Sequence, residues 1–529
     1  MRPALTTSSI ICLLFLPLIG MAQMGIPDST FNSIGVSRLT PDWCGNGARI
    51  MQVNAGGDVY VAGNILSGMC QTNQTCQISK MLSSGVTDSS YAVDGTREVN
   101  FCTSDDYLTD MVLDHSTGEV YACGYEDWGL IPNAPIRQLV TFKLTPGGAL
   151  DPGFGINGIN YDGVVPDGLE YSFGMALLPG GKLLVSCSVI GSLVFVRYMP
   201  DGSRDSTFHG TGQFAALPLA IQPVGGMVVH NNRIYLAYQG SGFPADRIWV
   251  YCFDMNGELD LQYGTNGRAQ FQHTTIIEPK DLAAAPDGGI LVAGSVGGAG
   301  ARRRMVLRFD PAGQVDPDYG NNGIVILDSP GEQRFFNVAV LPDGRSLLTG
   351  FSTDSWSYYE AYAFVSLGPV GGRVFPMGAV GDTLGATVAP WPGTFVGGLV
   401  GYDSLERIMV VGGAPSQLVA GHGAIGFARY LNSDSYSIMG EQEAQRVNND
   451  AVFPNPAQVG SEVFVRTSLR GPLQARIIAL TGEVISAVPL RSQSGALLAV
   501  TVPPELPAGP YLLEVTGQSH RASSILLVQ

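Results

Sequence analysis

The stretch AAAPDGGILVAGS, from Ala283 to Ser295, returns with changes as AVLPDGRSLLTGF from Ala339 to Phe351. Each copy has an apolar run, a Pro-Asp-Gly turn and a second apolar run. Proline presets φ and glycine accepts a positive φ at a tight turn, so each copy predicts a β-hairpin. The phrase is therefore the centre of a repeating β unit.

Seven apolar runs of this kind can be traced along the chain. They are DVYVAG (Asp58–Gly63), EVYACG (Glu119–Gly124), KLLVSC (Lys182–Cys187), RIYLAY (Arg233–Tyr238), GILVAG (Gly289–Gly294), RSLLTG (Arg345–Gly350) and RIMVVG (Arg407–Gly412). Each precedes another strand-like run. Most units then contain an Asp-x-x-aromatic phrase, which begins at Asp88, Asp151, Asp205, Asp260 and Asp316, at intervals of 54 to 63 residues. A period of this length indicates a repeat architecture.

Each unit contains four short strands and no helical periodicity, which predicts an all-β fold and a seven-bladed β-propeller. A stacked solenoid is the alternative, but the array has no atypical polar units at its ends. The consensus PDGxILVAG…RF…G…DxxFG resembles the delta-60 repeat family of bacterial β-propellers, over about residues 28 to 431. The resemblance implies the propeller fold and no particular activity.

The two ends of the repeat array predict how the ring closes. The seventh unit ends at GFARYL without an Asp-x-x-aromatic phrase, and an unattached one, DSTFNSIG, begins at Asp28. We therefore expect the N-terminal segment to complete the last blade near Phe427–Leu431, which removes an exposed sheet edge.

The N-terminal residues 1–22 predict a signal peptide. Arg2 precedes an apolar run from Ile10 to Ile19, and small residues lead to a cleavage site between Ala22 and Gln23. The run is too short to span a bilayer, and no other stretch is long enough, so we expect no transmembrane segment. Export permits disulfides, and Cys70 and Cys76 flank QTNQT at a spacing that predicts one bond between them.

The composition changes after the propeller, which we assign to residues 23–431. Residues 432–450 are polar and aperiodic and predict a linker. Residues 451–529 hold short alternating runs broken by Gly and Pro, which predict a small immunoglobulin-like β-sandwich.

This last segment resembles the C-terminal sorting domain of the type IX (Por) secretion system. The matching residues are Phe453, Pro454, Asn455, Pro456, Gly482 in TGEV, and Gly509 and Tyr511 in LPAGPY. Pro510 departs from the aliphatic residue usual in the family, and Ser523 and Ser524 stand where the tail customarily has a lysine. The resemblance implies recognition by the type IX machinery and delivery to the cell surface or the medium.

Charge and motifs exclude several functions. The formal net charge is −16 and the isoelectric point about 4.7, so a nucleic-acid partner is not expected. No H-E-x-x-H, G-x-S-x-G, P-loop or EF-hand pattern occurs. Asp105-Asp106 and Glu126-Asp127 are adjacent carboxylates, but neighbours on a strand face opposite ways and form no acid–base pair by adjacency. The Asp of the repeated phrase has calcium binding as an alternative role, although recurrence in most units favours a structural role at a turn. No other cofactor is expected.

A ligand is expected on the variable loops between second and third strands. The candidate residues there are Asp127, Trp128, Trp356, Tyr358 and Tyr359, because aromatic rings beside carboxylates suit sugars or a protein partner. Two function classes follow. The first is an exported, non-catalytic binding or adhesion protein whose ligand is a glycan or a protein. The second is a secreted propeller enzyme, a glycan lyase or hydrolase.

Overall fold

The computed structural model describes most of residues 28–432 and 452–528. It leaves out residues 1–27, 433–451 and shorter stretches, of which the longest are 40–44, 67–73, 128–136, 165–169, 219–223, 241–245, 354–359, 372–395, 416–422 and 467–472. The chain divides into two compact units, one formed by Gln23–Asn432 and the other containing Ser433–Gln529.

The first unit is a seven-bladed β-propeller whose blades are antiparallel sheets. Its N-terminal strand is β1 (Val36–Arg38). Blade 1 comprises β2 (Gly45–Val53), β3 (Val59–Leu66), β4 (Gln74–Met81) and β5 (Thr96–Val99). Blade 2 comprises β6 (Asp105–Leu113), β7 (Val120–Asp127), β8 (Arg137–Leu144) and β9 (Ile159–Asp162). Blade 3 comprises β10 (Glu170–Leu177), β11 (Leu183–Val189), β12 (Ser192–Tyr198) and β13 (Gln213–Leu217). Blade 4 comprises β14 (Val224–His230), β15 (Arg233–Gln239), β16 (Arg247–Asp254) and β17 (Arg268–Gln272). Blade 5 comprises β18 (Ile277–Ala284), β19 (Ile290–Val296), β20 (Arg303–Phe309) and β21 (Ile324–Leu327).

The last two blades differ from this plan. The described strands of blade 6 are β22 (Glu332–Val340), β23 (Ser346–Thr353) and β24 (Glu360–Leu367). Blade 7 contains β25 (Val396–Tyr402), β26 (Ile408–Pro415) and β27 (Gly423–Tyr430), and β1 is its fourth strand. The seven blades confirm the architecture that the repeat predicted.

The position of a strand in its blade explains its sequence. The first strands of neighbouring blades contact each other around the whole ring, so they line the central axis. Second strands are covered on both faces, and β19 accordingly has seven buried residues in a row. First strands such as β6 and β22 instead alternate between buried and partly buried residues. Every first strand has a register shift that indicates a β-bulge, as between Leu108 and Asp110 in β6 and between Pro279 and Asp281 in β18.

Hydrophobic residues pack between blades, because each sheet covers the face of the next. Within the described propeller, seven buried clusters each combine side chains of two adjacent blades. The aromatic residues of the Asp-x-x-aromatic phrases are buried. They are Phe31, Tyr91, Phe154, Phe208, Tyr263 and Tyr319. Most of the core is thus interfacial, and a single blade cannot bury its own apolar surface.

The N-terminal segment closes the ring, as the unattached phrase predicted. Val36 pairs with Ala428 and Arg38 with Gly426, so β1 lies antiparallel to β27. Phe31 and Leu39 join the cluster between blades 7 and 1. Asn32 N–H donates to the carbonyl of Ser84 in blade 1 at 2.8 Å, which links the completed blade to its neighbour.

The C-terminal unit consists of two four-stranded antiparallel sheets. One contains β28 (Val452–Phe453), β29 (Glu462–Arg466), β33 (Leu497–Thr501) and β32 (Leu490–Ser492); the other contains β31 (Val484–Val488), β30 (Gln474–Ala479), β34 (Gly509–Thr516) and β35 (Arg521–Val528). Residues of both sheets, including Val463, Val500, Ile477 and Leu513, share one hydrophobic cluster.

No helix long and apolar enough to cross a bilayer occurs among the described residues.

Candidate functional site on the loop face

Strand direction divides the propeller into two faces. Asp105 at the start of β6 pairs with Asp127 at the end of β7, and Glu332 in blade 6 pairs in the same way with Thr353. The connections from second to third strands therefore leave from this edge, which we call the loop face. The short glycine turns lie at the opposite edge.

Three tyrosines form an aromatic cluster on the loop face. Tyr107 of β6 and Tyr125 of β7 are direct cross-strand partners, and their rings stack with centroids 4.9 Å apart. Tyr171 of the next blade meets Tyr125 edge to face at 5.3 Å. All three side chains are only half-buried, so part of each ring remains accessible.

An arginine–aspartate pair borders these rings. Asp127 and Arg137 are cross-strand partners, and the Arg137 Nε and Nη2 atoms lie 2.9 Å and 2.8 Å from Asp127 Oδ2. The guanidinium carbon lies 4.4 Å from the centroid of the Tyr171 ring and 5.9 Å from that of Tyr125, and Arg137 donates to the Tyr171 hydroxyl. Charge and ring contacts hold Arg137 in one place. We call Tyr107, Tyr125, Asp127, Arg137 and Tyr171 the tyrosine–arginine cluster.

The electrostatics keep the tyrosine hydroxyls protonated. Burial raises the pKa of Tyr107, and the carboxylates of Asp105 and Asp127 raise it further. Burial also raises the pKa of Tyr125, against the opposing charge of Arg137. At neutral pH the cluster therefore presents hydroxyl and guanidinium donors beside carboxylate acceptors.

The adjacent carboxylates have separate roles. Asp105 is half-buried and accepts the Gln74 N–H of blade 1 at 2.8 Å. Asp106 is fully buried and accepts the Phe101 N–H at 2.8 Å, which is a structural contact. Alternation along the strand separates sequence neighbours but brings Asp105 opposite Asp127 across the sheet.

The structure places one of the five expected ligand-binding residues, Asp127, in this cluster. Trp128, Trp356, Tyr358 and Tyr359 lie outside the described residues. Sequence reasoning missed Tyr107, Tyr125, Tyr171 and Arg137. Aligning the repeats strand by strand would have found the first pair, because the hairpin register alone sets Tyr107 opposite Tyr125.

The repeated aspartates have the structural role that recurrence favoured. Asp88, Asp151 and Asp205 each accept the N–H two residues ahead, at 2.9 to 3.1 Å. Each also forms an ion pair with a basic residue of the third strand, namely Lys80, Lys143 or Arg197. These cations oppose a calcium ion at the same oxygens. Among the described side chains, no group of three or more His, Cys, Asp or Glu residues could hold a metal.

The described cysteines lie within strands. Cys76, Cys123, Cys187 and Cys252 are all buried, and burial raises the pKa of Cys252 to about 12. Cys70 is outside the described residues, so its disulfide with Cys76 remains a prediction. The same holds for the cleavage site at Ala22 and Gln23.

Part of the sorting-domain motif can be located. Phe453 pairs with Phe464, and Gly509 begins β34. Tyr511 is buried and its hydroxyl donates to the Pro507 carbonyl at 2.9 Å. Pro454, Asn455, Pro456 and Gly482 lie outside the described residues.

Comparison with known protein families also indicates a β-propeller. A family model described as a domain of unknown function (DUF5122) β-propeller matches residues 285–319. With the seven blades, this match defines a β-propeller protein. No curated protein matches the chain.

Solved structures resemble the chain only distantly. A fungal alcohol oxidase of the AA5 family in complex with copper has 12% identity and a TM-score of 0.37, covering 96% of this chain and 98% of its own. A polysaccharide lyase of family PL25, an ulvan lyase, has 11% identity and a TM-score of 0.42, covering 75% and 95%. The Nup133 β-propeller domain of Vanderwaltozyma polyspora has 10% identity and a TM-score of 0.37, covering 75% and 97%. Similarities this low carry no inference about function.

Proposed function

We propose that this chain is an exported, non-catalytic binding or adhesion protein whose propeller recognises a glycan or protein ligand through the tyrosine–arginine cluster. Partly exposed tyrosine rings, protonated hydroxyls and a fixed Arg137–Asp127 pair converge on one edge of blades 2 and 3. Tyrosine and arginine dominate binding surfaces because they combine a large apolar area with directed hydrogen bonds. This convergence is the observation that carries the proposal.

The test is binding by the mature chain and two cluster variants. Ligands are sought on a glycan array and among surface proteins of the native host, and their affinities are then measured. We expect Tyr125→Ala and Arg137→Ala each to weaken binding by tenfold or more, because each removes contact area from the centre of the cluster.

Tyr161→Ala is the matched control. Tyr161 lies on β9, the outer strand of blade 2, and is 39% exposed. We expect this variant to bind like the wild type. Equal affinity in the wild type and both cluster variants, for every ligand found, would reject the proposed site.

We also propose that residues 1–22 direct export, that residues 432–450 are a linker and that residues 451–529 are an immunoglobulin-like sorting domain read by the type IX machinery. Two features support the sandwich. Its two sheets share one hydrophobic cluster, and the Tyr511 hydroxyl bonds to a carbonyl four residues upstream. Immunoglobulin-like folds use a similar tyrosine contact at a corner between strands.

A glycan hydrolase is the second candidate function. Asp105 and Asp127 face each other across β6 and β7 beside the tyrosines, and paired carboxylates are the usual machinery of glycoside hydrolysis. Arg137 forms an ion pair with Asp127, and Asp105 accepts the Gln74 N–H. Both carboxylates are therefore already bound by protein groups, whereas glycoside hydrolysis needs one to protonate the leaving oxygen and the other to act on the sugar or on a water molecule. We therefore expect no release of reducing sugars from any glycan that binds.

A further inference from the structure

The charges of the tyrosine–arginine cluster disfavour an anionic ligand. Arg137 lies in direct contact with Asp127, so the arginine that contacts the tyrosines already has a carboxylate partner. Asp105 lies directly opposite Asp127 across the pairing of β6 and β7. A negative group of a ligand would therefore meet two carboxylates beside one guanidinium group that is already paired.

The hydrogen-bonding groups of the cluster are also mixed. Protonated tyrosine hydroxyls both donate and accept, the guanidinium only donates, and the carboxylates only accept. A sugar hydroxyl both donates and accepts, so a pair of neighbouring hydroxyls can satisfy a carboxylate and a guanidinium together. A ligand carboxylate or sulfate only accepts, and it would leave Asp105 and Asp127 facing a like charge.

The net charge of the whole chain also disfavours a negatively charged ligand. The full chain has a formal net charge of −16, which repels a polyanion before contact. A neutral polymer experiences no such repulsion, and its apolar ring faces can stack on the exposed tyrosine surface.

We infer that the ligand of the tyrosine–arginine cluster is a neutral, hydroxyl-rich sugar chain rather than a uronic acid or sulfated polymer. This inference rests on the proposed function, because it assigns a ligand class to the same site. It also bears on the alternative enzyme class, since lyase elimination requires the acidic sugar that the cluster disfavours.

The experiment uses pairs of polymers that differ only in charge. Polygalacturonan is compared with the same polymer after reduction of its carboxyl groups to primary alcohols, and a sulfated galactan with its desulfated form. Neutral β-glucan and xylan complete the set. Binding of the mature chain is measured at low and at physiological salt. We expect at least one neutral polymer to bind at least tenfold more tightly than every charged one, and its affinity to change little with salt.

Two variants assign the preference to the cluster. Tyr125→Ala should abolish neutral binding. Asp127→Asn keeps the shape but removes one negative charge and frees Arg137. We expect it to weaken neutral binding tenfold and to increase binding of the charged polymers. Asp114→Asn changes a partly exposed carboxylate at the glycine-turn face, and this matched control should change neither.

The outcomes test the neutral-sugar inference and the proposed binding site separately. Tighter binding of the charged member of a pair, lost in Tyr125→Ala, would overturn the neutral-sugar inference while supporting the proposed site. Failure of every neutral polymer to bind would also overturn it. Neutral binding that is unchanged in Tyr125→Ala and Arg137→Ala would overturn both.

Discussion

One residue position on the first strands joins neighbouring blades through a single polar side chain. Asp110, Asp281 and Asn337 each follow the bulge of their strand. Their side-chain oxygens accept an N–H from the first strand of the next blade, at Met175, Val338 and Val400, over 2.8 to 2.9 Å. Asn337 shows that a neutral amide performs this role, so the bond itself requires no charge.

The two aspartates at this position should make stability depend on pH. Burial raises the pKa of Asp110 and of Asp281 to about 7, from an ordinary value of 3.8. Between about pH 4 and 7 the folded state therefore holds protons that the unfolded state has lost. The free energy of unfolding then falls as pH rises, by up to about 1.4 kcal/mol per pH unit for each group. Above about pH 7 this contribution becomes constant.

Asn at both positions should remove this dependence. We expect the Asp110→Asn, Asp281→Asn double variant to have a higher melting temperature than the wild type at pH 8 and a flatter profile from pH 4.5 to 7. Asn337→Asp is the reciprocal control, and it should steepen the profile. The measurement is thermal unfolding across this pH range, and parallel profiles for all three proteins would refute the assignment.

At the scale of one element, β1 is the strand on which ring closure depends. Arg429 Nε lies 2.8 Å from Asp28 Oδ2, and both side chains are buried. Burial alone would raise the pKa of Asp28, but the bonds from Thr30 and the charge of Arg429 outweigh it and lower that pKa. In blade 3 the equivalent ion pair joins Arg197 to Asp205, which are only 8 residues apart in the chain. Asp28 and Arg429 are 401 residues apart. Closing the longer loop costs roughly 3 kcal/mol more in chain entropy.

Deleting residues 23–36 should lower the melting temperature substantially. The deletion removes Phe31 from the core and leaves Arg429 buried without its carboxylate, and each loss costs about 3–5 kcal/mol. A synthetic peptide of residues 26–40 added to the truncated protein should restore part of the loss, because the open edge of β27 can still pair with it. An unchanged melting temperature would contradict the closure.

Point variants separate closure from simple loss of an ion pair. Asp28→Ala and Asp205→Ala each remove a carboxylate that accepts from a threonine and an arginine in the same way. Both should destabilise the propeller. We expect only Asp28→Ala to make the N-terminal segment sensitive to limited proteolysis.

At the scale of the whole molecule, the propeller and the C-terminal unit each contain a core of their own. The seven interfacial clusters of the propeller close upon themselves, since the last joins blade 7 to blade 1. The C-terminal cluster draws on both sheets of its own unit. Neither needs the other to bury its apolar residues.

Removal of residues 432–529 should therefore separate folding from delivery. We expect residues 23–431 to fold alone, with a single cooperative transition and the ligand affinity of the full mature chain. In the native host the truncated protein should remain in the periplasm, while the full chain reaches the surface. Surface delivery of the truncated protein would refute the sorting role, and failure of the isolated ring to fold would show that the tail stabilises it.

The sequence alone determined the repeat, the number of blades and the closing strand. These features are local or nearly so: a Pro-Asp-Gly turn fixes its hairpin, and a missing phrase at one end matches a spare phrase at the other. The structural role of the repeated Asp was also predictable, because its main partners lie two residues ahead and eight behind.

Only the tertiary structure decided which residues of different blades meet. Tyr125 contacts Tyr171 from another blade, 46 residues further along the chain, and the bulges place Asp110 against Met175. No spacing rule connects such pairs, because their separation depends on how far each blade turns about the axis and on how each first strand bulges. A repeat therefore specifies every blade in advance, while a surface feature such as the tyrosine–arginine cluster depends on the positions at which the blades differ.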